Sequence, residues 1–529
     1  MIYALSDNII SPLGAGTGQN LNAVLSGKSG LEQRCVPGLP YPVNASLMEG
    51  DFEDLVFRSA SASIADAGIN PSGADVVFIL STTKGEIEKL VSPGVSAGSI
   101  AARLGITTCP IVVCNACASG VAALVLALRL LDSGAYSYAV VAGADVPQRF
   151  IFSGFGALQS LSSEPCRPFD IERNGLNLGT AAASVVFGRE PFANSLFTIE
   201  SGALRNDAHH ISTPSPKGEG LYLAATAAME EAGVQPGDIT LVNAHGTATL
   251  FNDQMESVAF ERAGLSKTPL NALKAYFGHT LGAAGLVETI ITAAALREGV
   301  IPGTAGFAEA GVSGKINVVK EKSTASGRTF LKTVSGFGGC NAAVVGQAGA
   351  VAGGRCKATA GFTEKAHVRL DPVTIGPGGL NEAYKRSGFQ WPRFYKMDQL
   401  SKLGFLAAEQ LLKDAPEDAG RTVILFNRSS SLHTDRQYLQ SLDGPEGFYP
   451  SPSVFVYTLP NIVTGEIALR FGLHGETSFY ILPQRNDAVM QQVLAATLQD
   501  KGIRSAVYGW LDYEDEAAYE ADFYLIEKK

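Results

Sequence analysis

An α/β fold in about three domain-sized units is predicted by three observations on this chain of 529 residues. Short β-branched runs alternate with Ala-rich helical patterns. Glycine is abundant at 58 residues, while charged residues reach only 17% against 46% hydrophobic. Part of the N-terminal pattern also recurs near the C-terminus. At about 100–200 residues per domain the length fits three units, each able to bury a core. So many apolar and so few charged residues exclude a disordered chain. A net charge of -10, from 41 Lys+Arg against 51 Asp+Glu, argues against nucleic-acid binding, which needs a basic face. An acidic partner can still dock on a local basic patch.

The elements follow in order. The opening MIYALSDNIISPLG lacks the basic region and apolar run of a signal peptide. The best candidate span, Val121 to Leu131, is interrupted by Arg129, so no membrane span and a cytoplasmic location are expected. The runs ADVVFIL (74–80), CPIVVCNA (109–116) and YAVVAGAD (138–145) read as buried strands. Gly120 to Leu131 reads as a buried helix closed by LDSG. A loop-rich stretch, 163–180, precedes a strand at 183–188.

A second block starts near Phe197, with a helix near Gly220–Gly233, a strand at 239–246, a helix after Asp253, a helix from Gly282 to Arg297 and strand-like sequence at 329–346. The expected units are 1–195, 196–347 and 365–529, with a small-residue linker at 348–364.

The third unit carries an internal repeat. GVSAGSIAARLGI (94–106) and NIVTGEIALRFGL (461–473) share Gly98/Gly465, Ile100/Ile467, Ala101/Ala468, Arg103/Arg470 and Gly105/Gly472 at one fixed offset. The helix ending and strand upstream (64–80) are echoed at 411–426, so the order of elements matches as well. At the position of Cys117 the repeat has Gln484 or Arg485, and no later His motifs follow. It is expected to be a degenerate half that is no second enzyme.

Seven cysteines, Cys35, Cys109, Cys114, Cys117, Cys166, Cys340 and Cys356, form an odd set without zinc-like CxxC pairs. Neither a disulfide framework nor a metal site is indicated. Cys117, in CNACASG, stands between a strand and a helix. There, free helix N–H groups and the positive dipole end are expected to lower the thiol pKa and to hold an oxyanion. A cysteine alone is more often an inert small hydrophobe. Two Gly-flanked strand-to-helix loops add weight: VNAHGTAT (242–249) carries His245, and KAYFGHTLGAAG (274–285) carries Lys274 and His279.

CNACASG, NAHGTAT and KAYFGHTLGAAG, in this order, resemble the Cys, His and Lys/His motifs of β-ketoacyl-acyl carrier protein synthases. RPFDIERNGLNLGT (167–180), SGFGGCNA (335–342) and SPLG (11–14) are similar to further family segments, so the likeness spans residues 1 to about 350. It implies the thiolase-like five-layer αβαβα fold of two similar halves, with the third unit as an added half-domain.

The resemblance also implies roles. Cys117 is the acyl-accepting nucleophile. The backbone N–H groups of Cys117 and Phe337 form the oxyanion hole, with Phe337 also a gate. His245 and His279 support decarboxylation of malonyl-acyl carrier protein. Lys274, paired with Glu288, gives electrostatic support. Asp253 and Glu256 order the loop, and Gly338 belongs to the Gly-Phe-Gly-Gly turn. His209 and His210 match no motif and are expected to be solvated or structural.

No metal or bound cofactor is expected; phosphopantetheine arrives on an acyl carrier protein. A homodimer, or a heterodimer with another synthase or a chain-length factor, is implied. The chain departs from the family before Cys117, where it is shorter, and at Ser335 and Cys340, which replace an aromatic residue and a threonine. Cys340 raises thiolase as a rival, but His245 stands where a thiolase has Asn-Glu-Ala. The function expected is decarboxylative condensation in fatty acid or polyene/polyketide-type synthesis; the alternative is a non-catalytic chain-length factor or docking subunit.

Overall fold

A computed structural model describes residues 1–350, 361–442 and 448–529. The first half contributes β1 (Ile2–Ser11), α1 (Phe52–Ala67), β2 (Val76–Ser81), α2 (Pro93–Leu104), β3 (Ile111–Val113), α3 (Ser119–Asp132), β4 (Tyr138–Asp145) and β5 (Ala181–Gly188). The second contributes β6 (Phe197–Asn206), α4 (Glu219–Ala232), β7 (Leu241–Asn243), α5 (Leu250–Arg262), β8 (Pro269–Asn271), α6 (Ala284–Arg297), β9 (Thr329–Gly336) and β10 (Cys340–Ala348). The third contributes β11 (Phe362–Leu370), α7 (Gln399–Leu412), β12 (Thr422–Asn427), α8 (Ile462–Phe471), β13 (Thr477–Ile481), α9 (Asp487–Thr497), β14 (Ser505–Asp515) and β15 (Ala518–Lys528).

Local sequence sets the helix ends. Asp51 caps α1 by accepting the Glu53 N–H, and Gly68 closes it at φ 65°. Ser92 caps α2, with Pro93 in its first turn and Gly105 closing it at φ 75°. Gly472 closes α8 at φ 61°. Only glycine takes these left-handed closures without a Cβ penalty.

Each unit builds its sheet on five strands in one order, and in the second a short strand, Asn317–Val318, pairs in addition beside Pro269–Leu270. In the first, β3-β2-β4-β5-β1, strands β3, β2 and β4 are parallel and the rest antiparallel. The second runs β8-β7-β9-β10-β6 with the same senses. The third runs β13-β12-β14-β15-β11, again with the same senses. Antiparallel pairing of β1 with β6 joins the first two sheets, and antiparallel pairing of β3 with β13 joins the first to the third.

Helix α3 is buried along its whole length, and only Arg297 of α6 escapes burial. With no polar face, both must lie between layers. They cross where glycines permit it: a Cβ on Gly120 would stand 2.9 Å from Gly282 O and 3.0 Å from Gly285 Cα. The first two halves with their central and outer helices make the thiolase-like five-layer core; the third is an added half-domain.

Several boundaries differ from expectation. Helix α3 starts at Ser119, beside the expected Gly120, but a 3-10 turn at Ala116–Ala118 leads directly into it, so Cys117 lies in helical structure rather than ahead of it. Asp253 lies within the first turn of α5 instead of preceding it. The stretch 329–346 is a hairpin of two strands, because the Gly-rich turn after Phe337 reverses the chain. Of the expected linker, 351–360 lie outside the described residues, while Ala348 closes β10 and 362–364 already pair within β11. Among the described residues, no helix is long and apolar enough to cross a membrane.

Candidate active site

After β3 the chain turns sharply through Asn115 and Ala116 to present Cys117. Ala116 sits at φ 48°, a left-handed conformation that costs a non-glycine on the order of 1 kcal/mol and needs support. Ser119 Oγ accepts the Asn115 N–H at 2.8 Å, and the Asn115 side chain accepts the Phe479 N–H at 2.8 Å and donates to Thr477 O at 3.3 Å. The third unit therefore helps to hold the nucleophile's turn.

His245 follows β7. The Glu256 carboxylate accepts the His245 N–H at 2.8 Å and the Gly246 N–H at 2.7 Å. Asp253 accepts the Phe169 N–H at 2.7 Å and the Ala248 N–H at 3.2 Å. Burial pushes these carboxyls up, Asp253 to about 6 and Glu256 to about 7. Both groups touch backbone, and their contacts order the loop.

His279 Nε2 lies 3.0 Å from Cys117 Sγ. Its Nδ1 accepts the Leu281 N–H at 3.2 Å, which places the ring proton on Nε2, facing the sulfur. The His245 and His279 rings meet edge to face at 5.2 Å. Desolvation, and then the charge of Lys274, hold both imidazoles well below the usual histidine range, so both are neutral N–H donors at neutral pH.

The expected activated thiol is not what the structure shows at rest. Burial pushes the Cys117 thiol up to about 12, outweighing the opposing charge of Lys274. The sulfur rests as a thiol, and the His279 Nε2–H is placed to stabilise negative charge on it as that charge develops.

Lys274 is paired with Glu288: its Nζ is 2.7 Å from Glu288 Oε1, and both side chains are buried. Phe337 and Gly338 occupy the β9–β10 turn. Gly338 stands at φ 87° and donates its N–H to Ile211 O at 2.7 Å, while Asn461 of the third unit donates to Phe337 O at 2.8 Å. Phe337 stacks on Phe155 with centroids 6.3 Å apart.

A cavity of about 270 Å³ opens onto Cys117, His245 and His279, with Thr247, His210 and Phe337 in its wall. Beside Cys117 lies a second, smaller cavity of about 20 Å³, lined by Thr83, Lys84, Phe155, Phe337, Phe455 and Leu459 among others. His210, expected to lie outside any site, lines the larger cavity, while His209 is exposed. Cys340 is buried, with its sulfur 3.3 Å from Asn115 O and 3.4 Å from Phe337 O. Those contacts direct its S–H to backbone carbonyls.

Sequence reasoning missed Asn115, Phe155, Asn461, Phe455, Lys84 and Lys332. Lys332 left a trace, a charged residue inside the apolar strand run TFLKTV. The others owe their place to contacts between units far apart in sequence.

One sulfur and two ring nitrogens, from Cys117, His245 and His279, lie within 4.8 Å of one another, a spacing a metal ion can bridge. The donor chemistry disfavours it: the Leu281 N–H already occupies His279 Nδ1, so Nε2 carries a proton where a ligand needs a lone pair.

A strained turn ahead of a buried helix, presenting a cysteine beside two neutral histidines on a duplicated α/β core, is an arrangement of the thiolase-like condensing-enzyme class. Family comparison matches residues 53–193 to the beta-ketoacyl synthase N-terminal domain and residues 196–308 to its C-terminal domain. Residues 53–193 and 196–308 carry the two domains of the β-ketoacyl synthase family.

It is 28% identical over 410 residues to 3-oxoacyl-[acyl-carrier-protein] synthase 2 of Rhizobium meliloti, covering 64% of this chain and 96% of that protein. It is 34% identical over 245 residues to the synthase 2 of Mycobacterium tuberculosis, covering 44% and 59%. Among solved structures, the PfaC keto synthase-chain length factor aligns with a TM-score of 0.81 at 15% identity, over 100% of this chain and 78% of that one. The ketosynthase ApeO, solved with its chain length factor ApeC from Xenorhabdus doucetiae, aligns over 66% of this chain and 98% of its own at 23% identity and a TM-score of 0.58.

Proposed function

We propose that the chain is a condensing acyltransferase that joins an acyl group to a malonyl-derived unit carried on acyl carrier protein. One observation carries the reading: Cys117 Sγ lies 3.0 Å from His279 Nε2 with His245 beside it, and all three line one cavity of about 270 Å³.

In the first step Cys117 sulfur attacks the acyl thioester on a carrier's phosphopantetheine. The Cys117–acyl bond forms, and the carrier thiol leaves with the cysteine's proton. The Cys117 and Phe337 N–H groups take the oxyanion. In the second step His245 and His279 donate to the malonyl thioester oxygen. The bond to the carboxylate breaks, carbon dioxide leaves, and its electron pair becomes the enolate. The enolate carbon attacks the acyl-Cys117 carbonyl and expels the cysteine sulfur as thiolate, which takes a proton from solvent to return to the resting thiol, and the chain is longer by two carbons. Lys274 and Glu288 hold the local charge, while Asp253, Glu256 and Gly338 hold the loops.

The third unit, 362–529, serves in this reading as an attached partner half without a nucleophile. Its Asn461 and Phe455 reach the Phe337 turn and the smaller cavity beside Cys117, which supports a role in completing the acyl pocket. Gln484 and Arg485 stand near the counterpart of Cys117, and Arg485 is engaged by Asp487 and Asp522.

Intact mass spectrometry after incubation with acyl-carrier protein tests the reading. A Cys117 adduct is expected, and its absence under conditions that load a control synthase would show a non-catalytic subunit. C117Q is expected to keep malonyl decarboxylation while losing condensation.

A further inference from the structure

Lys332 lies on β9, fully buried, as the one charged residue of that strand. Its ammonium contacts Glu288 Oε2 and donates to Ala244 O at 3.2 Å. Lys274 holds the other oxygen, Glu288 Oε1, at 2.7 Å. One carboxylate is thus shared by two buried ammoniums. A structural ion pair needs only one of them, and a second buried cation brings a desolvation cost that the shared carboxylate only partly offsets. Such an excess of positive charge in a water-poor site suits chemistry that creates an anion nearby. Ala244 precedes His245, so the same ammonium also fixes the backbone from which one of the two donors projects.

We propose that Lys332 is a positioning residue for the decarboxylation step, holding the His245 backbone in register and placing excess positive charge behind the two histidines where the enolate forms. The inference rests on the condensing reading above. The charged and titratable groups that act on Lys332 or feel its charge are Glu288 on α6, Lys274 in the helical turn Lys274–Phe277, Glu256 on α5, and His245 and His279 on their loops. Burial and the charge of Lys274 lower the Lys332 ammonium to about 8 against the pull of Glu288, so its charge begins to be lost just above neutrality. The positive charge of Lys332 also contributes to keeping both imidazoles neutral.

The test compares the full-length protein with K332M, which keeps the length of the side chain, and K332R, which keeps the charge. Three readouts are taken: acylation of Cys117 by intact mass, the rate of malonyl-acyl carrier protein decarboxylation from pH 6 to 9.5, and the thermal midpoint. Failure of the wild-type protein both to acylate and to decarboxylate would defeat the condensing reading itself. With wild type active, its decarboxylation is expected to decline above about pH 8. K332M is expected to lower kcat roughly 10- to 100-fold on the scale of a lost electrostatic donor, with KM and Cys117 acylation within about twofold. K332R is expected to restore most of the rate and to remove the alkaline decline. The proposal is overturned by an unchanged rate and profile in K332M, or by parallel loss of acylation and decarboxylation. If K332M does not fold, a wild-type profile flat to pH 9.5, or an alkaline decline that K332R leaves in place, overturns it equally.

Discussion

Val113 on β3 pairs with Tyr480 on β13, and the two are counterparts in the internal repeat, separated by as many residues as Gly98 and Gly465. A residue that pairs with its own counterpart lies on a two-fold axis, the geometry of a self-complementary interface between two copies. Here both copies belong to one chain. The third unit covers in cis the edge that a second molecule's first half would cover, and Arg129 of α3 meets Glu476 beside that edge at 2.7 Å, both buried. A chain ending at residue 350 would expose β3 as an open strand edge beside the apolar α3. Light scattering is expected to show the truncated protein as self-associated or precipitated, with most condensing activity lost. A stable, equally active monomer would mean that the third unit is dispensable.

The same interface buries an ion pair. Lys84 Nζ lies 2.6 Å from Asp435 Oδ1 and is also bonded to Ser431 Oγ and Thr458 O. Removing one member of a buried pair strands the other, a cost of about 3–5 kcal/mol. K84M is therefore expected to lower the unfolding midpoint strongly, and the double change K84M/D435L to recover most of the loss. The pH dependence has a definite sign. Burial already raises the Asp435 carboxyl to about 6, above its unfolded value, and loss of Lys84 raises it further. Such a group destabilises the fold as pH rises through its folded value. K84M should thus be relatively more stable at pH 5 than at pH 7.5, read from denaturation midpoints at the two values.

These contacts show where the sequence was legible. The strands, the buried helix α3 and the three histidine- and cysteine-bearing loops follow from local signals: β-branched runs, an apolar helix face, Gly-flanked turns. Cys117, His245 and His279 could be singled out because their chemistry is written in the residues themselves. Asn115 and Asn461 could not, because their importance lies in hydrogen bonds to Phe479 and Phe337, distant in sequence. The thiol's resting state was misjudged for a related reason: a helix start is visible in sequence, whereas the packing that desolvates Cys117 arises only when three units close around it.

That resting state can be measured. With Cys117 raised to about 12, its thiolate fraction climbs about tenfold per pH unit throughout the accessible range. Alkylation of Cys117 by iodoacetamide, followed by peptide mass spectrometry, should rise at this rate from pH 7 to 9 without a plateau. A plateau below pH 8 would instead show a thiol activated at rest.

Phe455 of the third unit lines the smaller cavity beside Cys117 and packs edge to face on Phe155 with centroids 5.6 Å apart. A space of about 20 Å³ holds about one water, so any acyl chain of length must displace an aromatic ring. F455A is expected to cost about 3–5 kcal/mol in stability, as large core truncations do. It should also move Cys117 acylation toward longer acyl-carrier substrates in a competition assay. An unchanged preference would place the acyl chain elsewhere.

Gly465 of α8 lies against the turn that carries Phe337. A Cβ there would stand 2.6 Å from Gly338 O and 2.8 Å from Gly338 Cα, backbone that cannot swing aside. Its repeat counterpart Gly98 is roomier, since a Cβ there meets nothing nearer than Pro483 Cγ at 3.8 Å. The two alanine substitutions are therefore expected to diverge although the positions are equivalent in sequence. G98A should be tolerated or slightly stabilising, because alanine favours a helix by about 1 kcal/mol over glycine. G465A must push α8 from the Gly338 turn, breaking the Asn461 bond to Phe337 O and displacing the Phe337 N–H from the oxyanion position. Loss of one such donor is worth roughly 100- to 1,000-fold in kcat, so G465A should show a deep fall in condensation rate beside a smaller fall in thermal midpoint. Equal behaviour of the two variants would mean that α8 does not fix the turn.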